Sequence, residues 1–238
     1  QASTNTWQFA EHQYDYVGDA NSAISQTNSG WIDLFGWGTS GYNHGATCYQ
    51  PWSTSTSSSE YYAYGNSTYN LYDQTGQADW GYNAISNGGN AENSGWRTLT
   101  HEEWSYLFST RTTTSGIRYA KATVNDINGV ILLPDDWSES YYSLSSPNTD
   151  DVDFSTNTIT ETVWANTLEA NGAVFLPAAG SRLGTSVYSA GSYGLYWSSS
   201  YDSGYDARSV GFGSGLLYTD NLSSRSAGLS VRLVRSAE

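Results

Sequence analysis

The chain has 238 residues, of which 13% are charged, and a formal net charge of −14. This length is enough for one domain with a substantial core. One lysine and eight arginines leave too few cations to bind nucleic acid or an anionic membrane surface. No apolar run approaches the roughly 20 residues that span a bilayer, and no leader precedes Gln1, so we expect a mature or excised domain.

The side-chain composition favours an extracellular surface protein. The chain holds 20 Tyr and 10 Trp and is rich in Ser, Thr and Asn, which together give large contact areas and adaptable hydrogen bonds. The single cysteine, Cys48, cannot form an internal disulfide or complete a metal site. Because the candidate activating bases, His12, His44 and His101, are scattered along the chain, we predict a small, half-buried structural thiol.

Two stretches of the chain are predicted to be short helices. Thr100 and Glu103 form a capping-box pattern, and the apolar spacing behind it predicts a helix over about 101–110. The second helix is predicted to begin near Thr160 or Thr162 and to end at 171–172, where a glycine favours a left-handed stop. Before both helices, the polar segment 53–59 is predicted to be an exposed loop.

The rest of the pattern predicts short strands. The apolar runs 130–134 and 173–177 each end in proline, as buried strands do where pairing stops. Near the C-terminus, Val210 and Phe212, and later Val231 and Leu233, are spaced by two and predict strands with one buried face. The expected fold class is therefore α+β, with two short helices and many short, mainly antiparallel strands.

Acidic residues supply the only candidates for metal or catalytic chemistry. Asp150, Asp151 and Asp153, and the pair Asp135 and Asp136, could offer oxygen ligands to a calcium ion, but solvated acidic turns explain them better in a chain this acidic. The adjacent Glu102 and Glu103 point about 100° apart on a helix, and helix capping is the better account. We therefore predict no catalytic residues, no bound metal and no cofactor.

The C-terminal segment differs in composition from the rest of the chain. Residues 198–237 contain no Lys, Glu, Gln, Trp or Met. We expect the apolar residues of this segment to form a buried strand framework, and the residues between them to form a face exposed to a partner. The framework comprises Ala207, Val210, Phe212, Leu217 and Val231. The alternative is a Gly- and Ser-rich hairpin with no partner.

Six sequence blocks carry a resemblance to a known family. They are 30–38 (GWIDLFGWG), 95–100 (GWRTLT), 132–134 (LLP), 175–180 (FLPAAG), 196–200 (YWSSS) and 228–235 (GLSVRLVR). The chain resembles C-type-lectin-fold proteins of bacterial surfaces and phages, which share their fold distantly with formylglycine-generating enzymes. The resemblance implies one C-type-lectin-like domain over 1–238, with long loops in 1–95, a core in 96–238 and a variable region in 198–230.

The blocks 196–200 and 228–235 resemble most closely the variable proteins of diversity-generating retroelements. Adenine-directed mutagenesis of Asn codons cannot produce Lys, Glu, Gln, Trp or Met, which is the depletion seen in this segment. The resemblance implies a ligand-contacting surface made of Asp202, Tyr205, Asp206, Arg208, Ser209, Gly211, Gly213, Leu216, Tyr218, Asp220, Asn221, Leu222, Ser223, Ser224, Ser226 and Leu229.

Departures from related families narrow the expected function. One cysteine excludes the disulfides of animal C-type lectins, and the sequence lacks their calcium-binding motifs. Cys48 also lies far from the C-terminal region where formylglycine-generating enzymes carry their cysteine pair. We expect a non-catalytic adhesion domain on a bacterial surface or phage particle, with a protein or glycan receptor. The alternatives are a structural module of a surface fibre or pilus and, less favoured, an enzyme of the formylglycine-generating type.

Overall fold

A computed structural model describes residues 1–3, 6–62, 70–71, 77–82 and 95–236. The described strands are β1 (Ala2–Ser3), β2 (Thr6–Trp7), β3 (Arg97–Thr98), β4 (Tyr119–Val124), β5 (Ile127–Leu132), β6 (Thr158–Ile159), β7 (Val174–Pro177), β8 (Ser181–Leu183), β9 (Ser186–Tyr188), β10 (Tyr193–Tyr201), β11 (Asp206–Gly213), β12 (Leu216–Ser224), β13 (Ala227–Gly228) and β14 (Leu233–Val234). Short 3₁₀ helices span Gly18–Ala23, Ser58–Glu60, Trp80–Tyr82 and Phe154–Thr156.

The first predicted helix forms as the capping box requires. Helix α1 (His101–Ser105) continues without a break as a π-helical turn over Tyr106–Thr110. The Glu103 amide donates to Thr100 Oγ1 at 3.2 Å, and the Thr100 amide donates to Glu103 Oε2 at 2.9 Å. Both groups would otherwise lack partners at the helix start. The helix predicted over 101–110 is therefore confirmed, with Trp104 and Phe108 on its buried face.

The second helix begins after Thr160, the first of the two predicted starts. Thr160 Oγ1 accepts the amide of Val163 at 3.3 Å. Helix α2 (Glu161–Val163) continues as a π-helical turn over Trp164–Leu168 and a 3₁₀ turn over Glu169–Asn171. Gly172 ends it with a φ of 86°, a left-handed conformation that glycine adopts without strain.

A four-stranded sheet in the order β6-β4-β5-β7 forms the centre of the fold. The two predicted apolar strands are neighbours in it, with Val130 opposite Leu176 and Ile131 opposite Phe175. All pairs in this sheet are antiparallel except the parallel pair β4 and β6. Because side chains alternate along a strand, Ile131 and Phe175 pack with α2 on one face, whereas Val130 and Leu176 pack with α1 on the other.

The remaining described strands form smaller antiparallel sheets around this centre. They are ordered β10-β11-β12, β13-β8-β9, β14-β3 and β1-β2. Val210 and Phe212 of β11 are completely buried against the core beneath α1, whereas Ala207 is buried in a second core with Trp37 and Trp197. Both sides of the β10-β11-β12 sheet are therefore anchored to the body of the protein. The α+β class is confirmed.

Three local expectations need correction. Segment 53–59 is mostly half-buried instead of exposed, because Ser58 Oγ lies 2.5 Å from Ser224 Oγ and draws the segment against the C-terminal sheet. Cys48 is buried, with 6% of its surface exposed, not half-buried. Val231 lies outside the described strands and packs, half-buried, at the edge of the second core. In the part of the chain that the model describes, no helix combines the length and apolar character needed to cross a bilayer.

Candidate functional site

The strands β10, β11 and β12 carry most of the residues that the sequence singled out. Glycines on these strands let aromatic rings lie directly on the backbone. A Cβ at Gly194 would come within 2.2 Å of Phe212 Cζ, and one at Gly213 within 2.7 Å of Tyr193 Cδ2. The sheet is therefore a close-packed platform on which a larger side chain at either glycine would displace a ring.

A β-bulge divides this platform. Ser209 pairs with Asn221 and Gly211 pairs with Tyr218, so Thr219 and Asp220 together face the single residue Val210. A bulge inserts one extra residue and shifts the alternation of side chains. As a result, β12 directs its exposed side chains to both sides of the sheet.

On the side of α1, a chain of contacts between ionisable side chains crosses the surface; we call it the charged patch, made of His101, Glu102, Asp202, Arg208 and Asp220. Arg208 pairs with Asp202 at 2.7 Å and also with Asp220. His101 Nε2 lies 3.5 Å from the same Asp220 oxygen, and His101 Nδ1 lies 3.2 Å from Glu102. Three separate segments of the chain thus meet at Asp220.

Hydrogen bonds in the charged patch favour the charged forms of Arg208 and Glu102. The hydrogen bond to Asp220, and the negative charges of both aspartates, raise the pKa of Arg208. A hydrogen bond with its own backbone amide lowers the pKa of Glu102, to which Thr100 and His101 also contribute. Arg208 is therefore held between Asp202 and Asp220, and the patch is an ordered polar surface.

On the other side of the sheet lies the tyrosine patch, made of Tyr193 and Tyr218. Tyr218 is directly opposite Gly211, and a Cβ at Gly211 would lie 3.0 Å from Tyr193 Oη. Directly opposed residues point to the same side of a sheet, so the two tyrosines are neighbours above this glycine. Beside them, Asn221 Nδ2 donates to Ser209 Oγ at 3.1 Å and to Ser223 Oγ at 3.3 Å.

The predicted ligand-contacting residues fall into three groups by exposure. The exposed ones are Tyr205, Tyr218, Asp220 and Leu222, and the half-buried ones are Asp202, Asp206, Arg208, Leu216, Asn221, Ser223 and Ser224. Tyr205 lies in the turn between β10 and β11 and is the most open of them, with 70% of its surface exposed.

The third group is buried, which corrects the prediction that all sixteen are presented to a ligand. Its members are Ser209, Gly211, Gly213, Ser226 and Leu229. Leu229 is bonded through its backbone to Phe35 in the second core, and the two glycines lie beneath Tyr193. Simple alternation fails here because the bulge and the long aromatic rings decide which positions are covered.

Sequence reasoning missed three residues that the fold adds to this surface. His101 and Glu102 come from α1, about a hundred positions away in the chain, and Tyr193 comes from the start of β10. The capping pattern placed Glu102 on the first turn of a helix, but no local signal indicated that this turn would contact β12.

The acidic segments are used within the fold. Asp150 accepts a hydrogen bond from Tyr119 Oη, and its carbonyl accepts one from Lys121 Nζ. Asp153 accepts the Ser155 amide at 2.9 Å and Ser214 Oγ at 2.7 Å. Across the described ranges, no group of three or more His, Cys, Asp or Glu side chains is placed to hold a metal ion.

Two further candidates for catalytic chemistry, Glu103 and Cys48, are held in interactions within the fold. Glu103 forms a two-point ion pair with Arg97, at 2.6 and 2.5 Å, in addition to its capping role. Burial and the negative charge of Glu60 raise the pKa of the Cys48 thiol. A raised pKa disfavours the thiolate that a nucleophile requires.

Comparison with known proteins finds a family model, and the segment that it matches contains the candidate surface. Residues 144–234 match the model of a family described as a domain of unknown function (DUF8237). This segment is less than half of the chain and includes β10, β11 and β12. No curated protein and no solved structure matches the chain.

Proposed function

We propose that this chain is a recognition domain that binds a receptor, either a protein or a glycan, through β11, β12 and the turn before them. The observation that carries the proposal is the contrast between the two sets of side chains on these strands. Tyr205, Tyr218 and Leu222 are 70%, 54% and 50% exposed, whereas Val210 and Phe212 of the framework are fully buried.

The exposed set has the chemistry of a contact surface. Tyrosine rings supply large contact area with few rotatable bonds, and short polar side chains complete hydrogen bonds with a partner. Leu222 lies directly opposite Arg208, which places an apolar group beside the charged patch. Apolar anchors surrounded by polar groups are typical of the residues that dominate binding energy.

The position of these residues suggests how a receptor would approach. In the described sheet, β12 is at the edge of the order β10-β11-β12. Tyr218 lies on the tyrosine side, and Arg208 with Leu222 on the side of α1. A receptor that used both sets would have to hold β12 from both sides, along its edge.

The proposal extends to the C-type-lectin-like fold and to diversification of residues 198–230. A rigid, buried framework with varied outward positions is compatible with many substitutions, because surface changes usually alter stability by less than about 0.5 kcal/mol. Display on a bacterial surface or a phage particle belongs to the same proposal. The proposed role is non-catalytic. The composition of the chain, which is rich in Tyr, Ser and Asn, supports a role in surface recognition.

The test begins with the purified chain on glycan and surface-protein arrays. Any receptor found is then measured against the double variant Tyr205→Ser/Tyr218→Ser, which we expect to weaken binding at least tenfold. The matched control is Tyr141→Ser, because Tyr141 is 48% exposed and packs against Trp137, away from β12. The melting temperature of all variants should stay within about 1–2 °C of the parent.

Two results would refute the proposed site. One is equal weakening of binding by the Tyr141→Ser control. The other is undiminished binding by the double variant, which would move the receptor contact elsewhere on the molecule.

A further inference from the structure

A cavity of about 360 Å³ lies away from the proposed receptor surface, between the N-terminal segment and the C-terminal end of the chain. Its lining includes Trp7, Phe9, Phe35 and Trp96 on the walls, with Ala179 and Arg232 beneath them. This volume is at the lower end of the range of small-molecule pockets, which begins at about 300 Å³. The cavity is therefore large enough for a compact organic molecule.

The walls of the cavity are aromatic and fixed in place. Trp7 stacks on Phe35 with ring centroids 5.5 Å apart, and Phe9 packs against Trp96 at 4.9 Å. Behind them Phe35 contacts the fully buried Trp80 at 6.4 Å. Flat apolar walls of this kind favour a planar or aromatic body, which buries area at little entropic cost.

Arg232, which is half-buried, is the one arginine among the described residues that line the cavity. It donates from Nη2 to Gln13 Oε1 at 2.9 Å. Within the described ranges this is its one hydrogen bond, and no carboxylate lies within ion-pair distance of it. Burial lowers the pKa of this guanidinium, and Tyr196 and Glu169 oppose that shift.

The other arginines of this acidic chain are engaged differently. Arg97, Arg111 and Arg208 pair with carboxylates. Arg182, Arg118 and Arg225 donate to backbone carbonyls, and Arg235 lies over the Trp96 ring at 5.5 Å. Arg232 alone directs a guanidinium with spare donors into an aromatic cavity, among the residues that the structure describes.

Three acidic residues also line the cavity: Glu11, which is exposed, Asp15, whose Oδ2 accepts the His12 amide at 2.8 Å, and Asp33. The two carboxylate oxygens of Asp33 accept hydrogen bonds from the Val17 amide at 2.7 Å and from Asn21 Nδ2 at 2.8 Å. Burial raises the pKa of Asp33, and its hydrogen bonds with Asn21 and Val17 oppose that shift. Asp33 is thus satisfied by the protein, whereas Arg232 retains donors for a ligand.

We propose that this cavity binds a small organic carboxylate with an aromatic or flat apolar body, whose carboxylate pairs with Arg232. The planar guanidinium fork matches a carboxylate with two parallel hydrogen bonds. The aromatic walls then cover the apolar body. This site is separate from the receptor surface and independent of its function.

The experiment uses 3-phenylpropionate as the probe, titrated into the full chain by calorimetry and ligand-observed NMR. We expect saturable binding, and binding of the neutral 3-phenylpropionamide to be at least about tenfold weaker, because a charge-assisted pair is lost. Arg232→Gln should produce a similar loss. Val231→Phe, which keeps Arg232 but fills the cavity, should abolish binding and guards against misfolding of the arginine variant.

The control is Tyr218→Ser, which should bind 3-phenylpropionate as the parent does, because the tyrosine patch is not part of the cavity lining. The proposal is overturned if the probe does not bind, or if a folded Val231→Phe variant binds it unchanged. It is also overturned if 3-phenylpropylamine binds more tightly than the acid, since Asp33 and not Arg232 would then select the ligand.

Discussion

Replacing Phe212 with alanine should destabilise the protein far more than replacing an exposed residue of the same C-terminal sheet. The Phe212 ring is fully buried. It lies over Gly194, stacks on Tyr196 with centroids 6.0 Å apart and contacts Phe154 edge-on at 6.5 Å. Removal of a buried phenylalanine costs about 3–5 kcal/mol, because the cavity left behind closes only partly.

The upper part of that range applies here for a geometric reason. Gly194 has no side chain that could move into the space, and the two aromatic pairs each contribute about 0.5–1.5 kcal/mol beyond area burial. For a chain of this length, 3–5 kcal/mol lowers the melting temperature by about 6–20 °C. Tyr218→Ser, six positions along the chain and 54% exposed, should change stability by less than about 0.5 kcal/mol.

Urea unfolding followed by tryptophan fluorescence and by circular dichroism measures both variants, with the slope of the transition as a check on two-state behaviour. The reasoning is refuted if Phe212→Ala loses less than about 1.5 kcal/mol. It is equally refuted if Tyr218→Ser loses more than about 2 kcal/mol, because the tyrosine would then belong to the core.

Two further predictions concern stability. Thr100→Ala removes the cap of α1 and should cost about 1 kcal/mol in urea unfolding, whereas Thr100→Ser should retain the parent stability; equal values for all three proteins would contradict the capping role. Burial raises the pKa of Asp79 to about 6 from 3.8, so the folded state holds a proton that the unfolded state has lost, and stability should fall as pH rises from about 4 to 6. Asp79→Asn should show a flatter dependence of stability on pH in this window, and parallel curves for the two proteins would disprove the shift.

The parts of the fold that could be predicted from sequence are those set by local interactions. The cap at Thr100 and the stop at Gly172 depend on residues within a few positions of each other. The buried strands β5 and β7 were visible as continuous apolar runs because both of their faces are covered. Their pairing with each other was not visible in the pattern.

The parts that could not be predicted depend on long-range packing. Ser209 and Leu229 are buried, although the resemblance implies that they contact a ligand. Ser209 Oγ lies 2.8 Å from Ser223 Oγ within the sheet, and Leu229 follows β13 and bonds through its backbone to Phe35. His101 joins Asp220 only because Trp104 and Phe108 dock α1 onto the sheet. The cavity around Arg232 is built from segments at both ends of the chain, and no short motif marks it.

The buried Lys121 has a consequence for chemical labelling. It is the single lysine of the chain, its side chain is completely covered, and Nζ donates to the Gly213 carbonyl at 2.7 Å and to the Asp150 carbonyl. Reagents that acylate ε-amino groups will therefore find no lysine on the native surface. Acylation at residue 121 would instead report that the contact between β4, the Asp150 loop and the end of β11 has opened. The rate of modification therefore measures local unfolding beneath the proposed receptor surface.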